Sequence, residues 1–135
     1  MGVIFDTSIL AGLERTSPSI EKFIRGRENE PFGICMISVS ELLHAVLRAD
    51  SEVKRQQREA FVERIVEIFP VYPFDMNASR LYASIWAQFI KKGTIVGAHD
   101  LMIASTCLSL GFSVLTAEIR DYRKIEGLRV EEFPL

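Results

Sequence analysis

The sequence predicts an α/β protein, a three-layer α/β/α sandwich around a mostly parallel central sheet. Short apolar stretches alternate along the chain with longer segments in which apolar residues recur at helical spacing. This alternation is typical of a parallel sheet with helices packed on both faces. With 135 residues, 48% of them hydrophobic and 25% charged, the chain is expected to form one domain, residues 1–135, with its own core.

The predicted strands are the short apolar stretches. The first of them runs directly into Asp6, and Pro73 in the third marks that strand as an edge of the sheet, because proline cannot donate to the hydrogen-bond ladder. The strands are expected at residues 2–6, 32–37, 71–74, 112–116 and 128–130.

The predicted helices fill the segments between the strands. The helix at 76–92 has the most regular pattern, with apolar residues at i, i+3, i+4, i+7 and i+8, and Gly93 is a suitable residue to end it. Thr7 or Ser8 is expected to cap a first helix that reaches about Glu14. The other helices are expected at 17–26, 38–49, 52–69 and 100–110.

Three carboxylates, Asp6, Glu41 and Asp100, occur where a helix is expected to begin after a short apolar or small-residue stretch. Ligands of open parallel sheets bind beyond the carboxyl ends of the strands, so acids at these positions would gather along one edge. A cluster of carboxylates needs a cation, and a divalent metal bound by acids points to phosphate chemistry. No clear strand precedes Asp100, so its place beside the other two does not follow from the pattern alone.

Each acid also has a structural interpretation. Asp6 is able to cap the helix that follows it, and Ser38 with Glu41 matches a capping box. Asp100 is able to act as an N-cap or to interact with the positive end of a helix dipole. The residues alone leave the capping and metal-binding interpretations open.

Composition excludes several functional classes. The formal net charge of −2 argues against nucleic-acid binding by bulk charge. No apolar run approaches the ~18 residues of a membrane span and no signal peptide is recognisable, so a cytoplasmic protein is expected. Cys35 and Cys107 form neither a zinc pattern nor a disulfide framework, and both are expected to be buried.

Four ordered segments carry a resemblance to a known family. Residues 3–8 (VIFDTS), 38–42 (SVSEL), 97–104 (GAHDLMIA) and 114–122 (VLTAEIRDY) resemble the motifs of PIN-domain nucleases, most of all the VapC-type toxins of toxin–antitoxin pairs. The resemblance spans essentially the whole chain, including the ending at 125–130. It implies a metal-dependent endoribonuclease that uses Mg²⁺ or Mn²⁺, a cognate antitoxin partner, and a homodimer.

The resemblance also implies roles for individual residues. The family's metal ligands correspond to Asp6, Glu41 and Asp100, with Glu41 acting directly or through water. A fourth acidic position corresponds to Glu118 or Asp121; Glu118 departs from the usual Asp or Asn two residues after the threonine. We expect the hydroxyl groups nearby to orient carboxylates or water. These hydroxyls belong to Thr7, Ser8 and Thr116.

The chain contains two histidines, and two neighbouring predicted helices that could form a groove. His99 precedes Asp100 and invites a general-base role, but adjacent residues on a helix point in different directions, so a structural or loop role is expected. His44 lies within a helix and is expected to be structural too. The helices at 38–49 and 52–69 could form a groove for the antitoxin, or their apolar residues could simply pack in the core. The apolar candidates for that groove are Leu47, Phe61 and Ile65.

Two other functions remain open. A phosphotransfer protein of the receiver or haloacid-phosphatase kind would also place acids at strand ends, but Ser8 stands where a haloacid site needs a second Asp. A PIN-like module that binds RNA or a partner without cutting is the second, and the uncertain fourth acid is its main support.

Overall fold

The computed structural model describes residues 2–15 and 25–133, and its centre is a five-stranded sheet in which every paired strand is parallel. The order across the sheet is β3-β2-β1-β4-β5. The strands are β1 Val3–Phe5, β2 Phe32–Cys35, β3 Val71–Tyr72, β4 Ser113–Thr116 and β5 Val130–Glu132. The predicted parallel sheet is therefore confirmed, with β3 at an edge as Pro73 indicated.

Six described helices surround this sheet. They are α1 Thr7–Arg15, α2 Met36–Leu47, α3 Glu52–Ile68, α4 Met76–Lys92, α5 Ala98–Leu110 and the short α6 Ile119–Tyr122. α6 follows β4 and was not predicted. The helix predicted at 17–26 falls almost entirely outside the described residues. No helix in the described part of the chain has both the length and the apolar character to cross a bilayer.

The two faces of the sheet pack against separate apolar clusters. Alternate residues of β1 point to opposite faces, so Phe5 lies in one cluster with Leu10, while Ile4 lies in the other with Leu101. Both cysteines are buried without a disulfide, as predicted. Each core lies between the sheet and the helices that form one outer layer of the three-layer sandwich.

The residues predicted to line an antitoxin groove divide between core and surface. Ile65 is buried and Phe61 packs against the same apolar cluster, so both belong to the core between α3 and the sheet. Leu47, at the end of α2, is 73% exposed and remains free for a partner. The core interpretation therefore holds for two of the three residues.

The connections place a crevice beside β1. The chain leaves β1 for β2 on one side, and after β3 it crosses to β4 on the other side of β1. Phe5 is in register with Leu115, so Asp6 and Thr116 end neighbouring strands at the same level. In open parallel sheets such a reversal of strand order is where ligands bind.

Candidate active site

Asp6 lies at the carboxyl end of β1, and both of its carboxylate oxygens accept hydrogen bonds. Oδ1 accepts from the Ser8 amide at 3.0 Å, the Ser8 hydroxyl at 2.6 Å and the Ile9 amide at 3.3 Å. Oδ2 accepts from the Thr116 hydroxyl at 2.7 Å. Asp6 therefore caps α1, as one interpretation of the sequence allowed, whereas the cap expected at Thr7 or Ser8 is wrong because both residues lie within the helix.

Burial dominates the electrostatics of Asp6. The residue is only 5% exposed, and this desolvation raises its pKa above the ordinary value although the hydrogen bonds from Ser8, Thr116 and Ile9 lower it. A carboxylate held ionised in such a place is stabilised by a nearby cation.

The hydroxyl groups of Ser8 and Thr116 join the ends of β1 and β4. Ser8 Oγ accepts from the Ala117 amide at 3.1 Å, and Thr116 Oγ1 accepts from the Glu118 amide at 2.9 Å. Each hydroxyl thus donates to Asp6 while it receives a backbone proton from the segment after β4. This arrangement fixes the orientation of the Asp6 carboxylate.

Glu41 occupies the second turn of α2, because this helix begins at Met36 directly after β2. The predicted capping box of Ser38 and Glu41 is wrong, because the N-cap position of α2 is Cys35, which makes no side-chain cap bond. Ser38 is the third residue of the helix, and its side chain is fully buried. Thr7 Oγ1 lies 2.9 Å from Ser38 Oγ and donates to Glu41 Oε1 at 2.7 Å. Thr7 therefore orients Glu41 from α1.

Asp100 is the third residue of α5, and the N-cap of that helix is Gly97. The N-cap interpretation of Asp100 is therefore wrong, whereas its place in the first turn agrees with the dipole interpretation. Burial, then repulsion from Asp6, Asp121 and Glu41, raises the pKa of Asp100 to about 6. The structure thus brings Asp100 into the field of the other acids, although no strand precedes it.

Two shallow clefts meet at Asp100. The first is lined by Asp100, Ala117, Glu118, Ile119, Arg120, Asp121 and Glu132. The second is lined by Glu41, Gly97, Ala98, His99 and Asp100. Asp100 therefore lies between Glu41 in one cleft and Glu118, Asp121 and Glu132 in the other.

Glu118 and Asp121 differ in their surroundings. Asp121 Oδ1 lies 3.1 Å from Lys124 Nζ, and the same ammonium group donates to the Ile95 carbonyl oxygen at 3.1 Å. Lys124 therefore ties α6 to the segment that leads into α5. Asp121 contributes to the raised pKa of Asp100, so Asp121 is electrostatically coupled to the candidate site.

The residues present suit a hard divalent cation. Within residues 2–15 and 25–133, no three Asp, Glu, His or Cys side chains converge closely enough to form a ready-made metal site. The nearby donors are nevertheless carboxylate oxygens, and Mg²⁺ commonly takes one or two carboxylates while it keeps several waters. Repulsion between the acids contributes to the raised pKa of Asp100, and such a cation would offset that repulsion.

Sequence reasoning missed the positions of two side chains. His99 Nδ1 lies 3.5 Å from Glu41 Oε2, so His99 faces the acid of another helix rather than its neighbour Asp100. Tyr122 is buried and its hydroxyl donates to Asp100 Oδ1 at 3.4 Å. Two features of the sequence could have indicated these roles: His99 is adjacent to Asp100, and Tyr122 ends the VLTAEIRDY segment.

Comparison with known proteins agrees with this architecture. A family model described as the PIN domain matches residues 3–128. Ribonuclease VapC1 of Rickettsia felis is 35% identical, with 96% of this chain and 95% of the relative covered. The tRNA(fMet)-specific endonuclease VapC of Salmonella typhimurium is 31% identical over 82% of this chain and 83% of that protein.

Solved structures give the same result for the fold. VapBC2 from Rickettsia felis, bound to a DNA fragment from its promoter, superimposes with a TM-score of 0.90 at 21% identity and covers 98% of this chain and 99% of that chain. DNA-bound VapBC from Salmonella typhimurium gives a TM-score of 0.88 at 26% identity, with 98% of both chains covered. With these matches over nearly its whole length, the chain belongs to the PIN domain family.

Proposed function

We propose that this protein is a metal-dependent endoribonuclease, which hydrolyses RNA phosphodiester bonds and acts as the toxin of a toxin–antitoxin pair. The observation that carries the proposal is the position of Asp100, which lines one cleft with Glu41 and another with Asp121 and lies within the electrostatic field of Asp6. Relatives named ribonuclease VapC support the reaction class.

Asp6 and Asp100 are the proposed direct ligands of Mg²⁺ or Mn²⁺. Glu41 is the third proposed ligand, directly or through water, and Thr7 orients it by donating to its Oε1. Asp121 is the better candidate for the fourth acid, since it contributes to the electrostatic field at Asp100. Glu118 lines the cleft that contains Asp100 and Asp121, and its backbone amide donates a hydrogen bond to Thr116 Oγ1.

A bound divalent ion would lower the pKa of a water molecule and polarise the scissile phosphate. The protein's own contribution is orientation. Ser8 and Thr116 hold Asp6, Thr7 holds Glu41, and no protein nucleophile is required. Arg120 lines the cleft with its side chain 90% exposed, so its guanidinium is available to an RNA phosphate.

The proposal includes an antitoxin and a second copy of the chain as partners. The similar structures from Rickettsia felis and Salmonella typhimurium are VapBC complexes. Exposed apolar side chains offer surfaces for such partners: Leu47 at the end of α2, and Trp86 and Ile90 on α4. An RNA-cleaving toxin works where its substrate is, so we place the protein in the cytoplasm.

Substitution of the ligands tests the proposal. Asp6→Asn and Asp100→Asn should each abolish Mn²⁺-dependent RNA cleavage while the circular dichroism spectrum stays unchanged. Glu63→Gln, which changes an exposed acid on α3, is the matched control and should retain full activity. Full activity in either ligand variant, or cleavage undiminished by excess EDTA, would overturn the proposal.

A module that binds RNA or a partner without cutting is the second candidate. The absence of a converged three-ligand group among the described residues favours it. Calorimetric titration with Mn²⁺ separates the two, because a non-cutting module should bind the ion weakly or not at all. The phosphotransfer alternative has no comparable support, since Ser8 stands where a haloacid-type site needs a second Asp, and its hydroxyl donates to Asp6 Oδ1.

A further inference from the structure

Tyr122 is a buried phenol at the base of the acidic cluster. Its side chain is 1% exposed and packs in the apolar cluster that contains Ile4, Leu101 and Cys107. A buried hydroxyl group needs a hydrogen-bond partner, and this one donates to Asp100 Oδ1. The ring is therefore fixed by the core, while its polar end reaches a proposed metal ligand.

The phenol can act on Asp100 only as a donor. A phenol keeps its proton at neutral pH, because its ordinary pKa is about 10, and this hydroxyl directs that proton to Asp100 Oδ1. The O···O distance of 3.4 Å is long, and it allows the bond to tighten when Asp100 is held fully ionised.

The contact also selects which oxygen of Asp100 is free. Oδ1 is engaged by Tyr122, whereas Oδ2 lies toward Gly97, at the cleft shared with Glu41 and His99. A side chain larger than hydrogen at position 97 would approach Oδ2, since a Cβ built there lies 3.9 Å from it. One carboxylate oxygen is thus held from the core side and the other is left at the cleft.

We propose that Tyr122 is a positioning residue, which orients Asp100 through its hydroxyl group so that Oδ2 is presented to a divalent cation. This role rests on the proposed function, because it assumes that Asp100 is a ligand. In this role the ring of Tyr122 packs in the core, while its hydroxyl group supports metal binding by Asp100. Removal of a group that orients a metal-binding side chain typically lowers the metal affinity by about 10–100-fold.

The test is Tyr122→Phe, which keeps the ring and removes only the hydroxyl group. Tyr72→Phe is the matched control, because Tyr72 packs against the same apolar cluster but lies on the edge strand β3, two strands from β1. In calorimetric titration, Y122F should bind Mn²⁺ about tenfold more weakly than the unaltered protein, and Y72F should bind it equally well. Both variants should show unchanged circular dichroism spectra.

A second measurement keeps the test independent of catalysis. A double-mutant cycle of Tyr122→Phe and Asp100→Ala, followed by urea unfolding in EDTA, should give non-additive changes because the two side chains interact directly. Unchanged Mn²⁺ affinity in Y122F, equal weakening in Y72F, or additivity in the cycle would overturn the role of Tyr122. If the unaltered protein neither binds Mn²⁺ nor cleaves RNA, the proposed function fails instead, and the cycle still decides whether the hydroxyl holds Asp100.

Discussion

Asp6 shows, at the scale of single residues, why capping and metal binding are not exclusive. A carboxylate has two oxygens with several lone-pair directions. Oδ1 satisfies the first amides of α1, while Oδ2 is held by Thr116 on the neighbouring strand. The sequence places Asp6 at the site because the acid directly follows a buried strand, and it identifies Ser8 and Thr116 as supporting hydroxyls.

Asp100 was harder to place from the sequence, for a physical reason. Its position depends on how α5 packs on the sheet through Leu101, Ala104 and Cys107, which are all buried. Such packing is non-local, so no pattern near residue 100 encodes it. The same limit applies to Tyr122, whose partner Asp100 is 22 residues away in the sequence. It also applies to His99, whose partner Glu41 lies on another helix.

The raised pKa of Asp100 predicts a pH-dependent stability in the metal-free protein. Its folded pKa of about 6 lies above the ordinary 3.8, so the group stabilises the fold fully below about pH 4 and loses that contribution as pH rises through 6. Asp100→Asn should therefore be more stable than the unaltered protein at pH 7.5 in EDTA, by about 1–2 kcal/mol after allowance for partial solvent exposure. Urea unfolding at several pH values measures this difference.

The advantage of Asp100→Asn should disappear near pH 4, where the wild-type carboxyl is protonated. Asp6 is buried in both proteins, so the effect of its own burial cancels, while its repulsion of Asp100 is part of the difference that is measured. Glu63→Gln should give a difference that does not vary in this way with pH. A D100N variant that is less stable than the unaltered protein at pH 7.5 would contradict the prediction.

At the scale of elements, the start of α2 shows where local signals compete. Residues 32–37 read as one apolar strand, but β2 ends at Cys35 and the chain turns directly into a helix. Short apolar runs do not distinguish the end of a strand from the first turn of a buried helix. The helix therefore starts earlier than the Ser38–Glu41 pattern suggests, and Ser38 is buried against α1 instead of capping.

α4 has a conventional cap, and this cap gives a prediction about stability alone. Asp75 Oδ1 accepts from the Ala78 amide at 2.9 Å, and Gly93 ends the helix in the left-handed conformation, with φ of 70°. Asp75→Ala should lower the free energy of unfolding by about 1 kcal/mol, because a helix amide loses its partner. Urea unfolding measures the loss, and Mn²⁺-dependent cleavage should remain at the wild-type level.

Asp75→Asn is the control, since asparagine is an equally good N-cap and should restore most of the stability. Equal destabilisation by both substitutions would show that charge rather than capping matters at this position. Loss of cleavage activity in D75A would mean that α4 affects the acidic site, contrary to the expectation.

At the scale of the whole molecule, the topology creates the site. Alternating strands and helices predicted the parallel sheet, but the strand order depends on the crossover from β3 to β4, which passes β1. This crossover makes β1 and β4 neighbours, and α5, which leads into β4, places Asp100 within the electrostatic field of Asp6. The fold class was therefore accessible from local periodicity, whereas the position of Asp6 beside Thr116 at the sheet edge required the order of the strands.

Metal binding should consequently stabilise the whole fold. A ligand that binds only the folded state adds about 2.7 kcal/mol when its concentration is 100 times Kd, and for a domain of this size the melting temperature should rise by roughly 8–10 °C. Thermal unfolding with and without Mn²⁺ should show this rise in the unaltered protein and in Glu63→Gln. Asp6→Asn and Asp100→Asn should lose it, because the proposed ligands are gone.

The same measurement distinguishes the two candidates for the fourth acid. Asp121 contributes to the field at Asp100, so Asp121→Asn should reduce the Mn²⁺-induced rise in melting temperature. Glu118→Gln should keep most of the rise, because Glu118 reaches the site chiefly through its backbone amide. The reverse order of effects would assign the fourth position to Glu118, and an equal rise in all four carboxylate variants would mean that Mn²⁺ binds elsewhere on the protein.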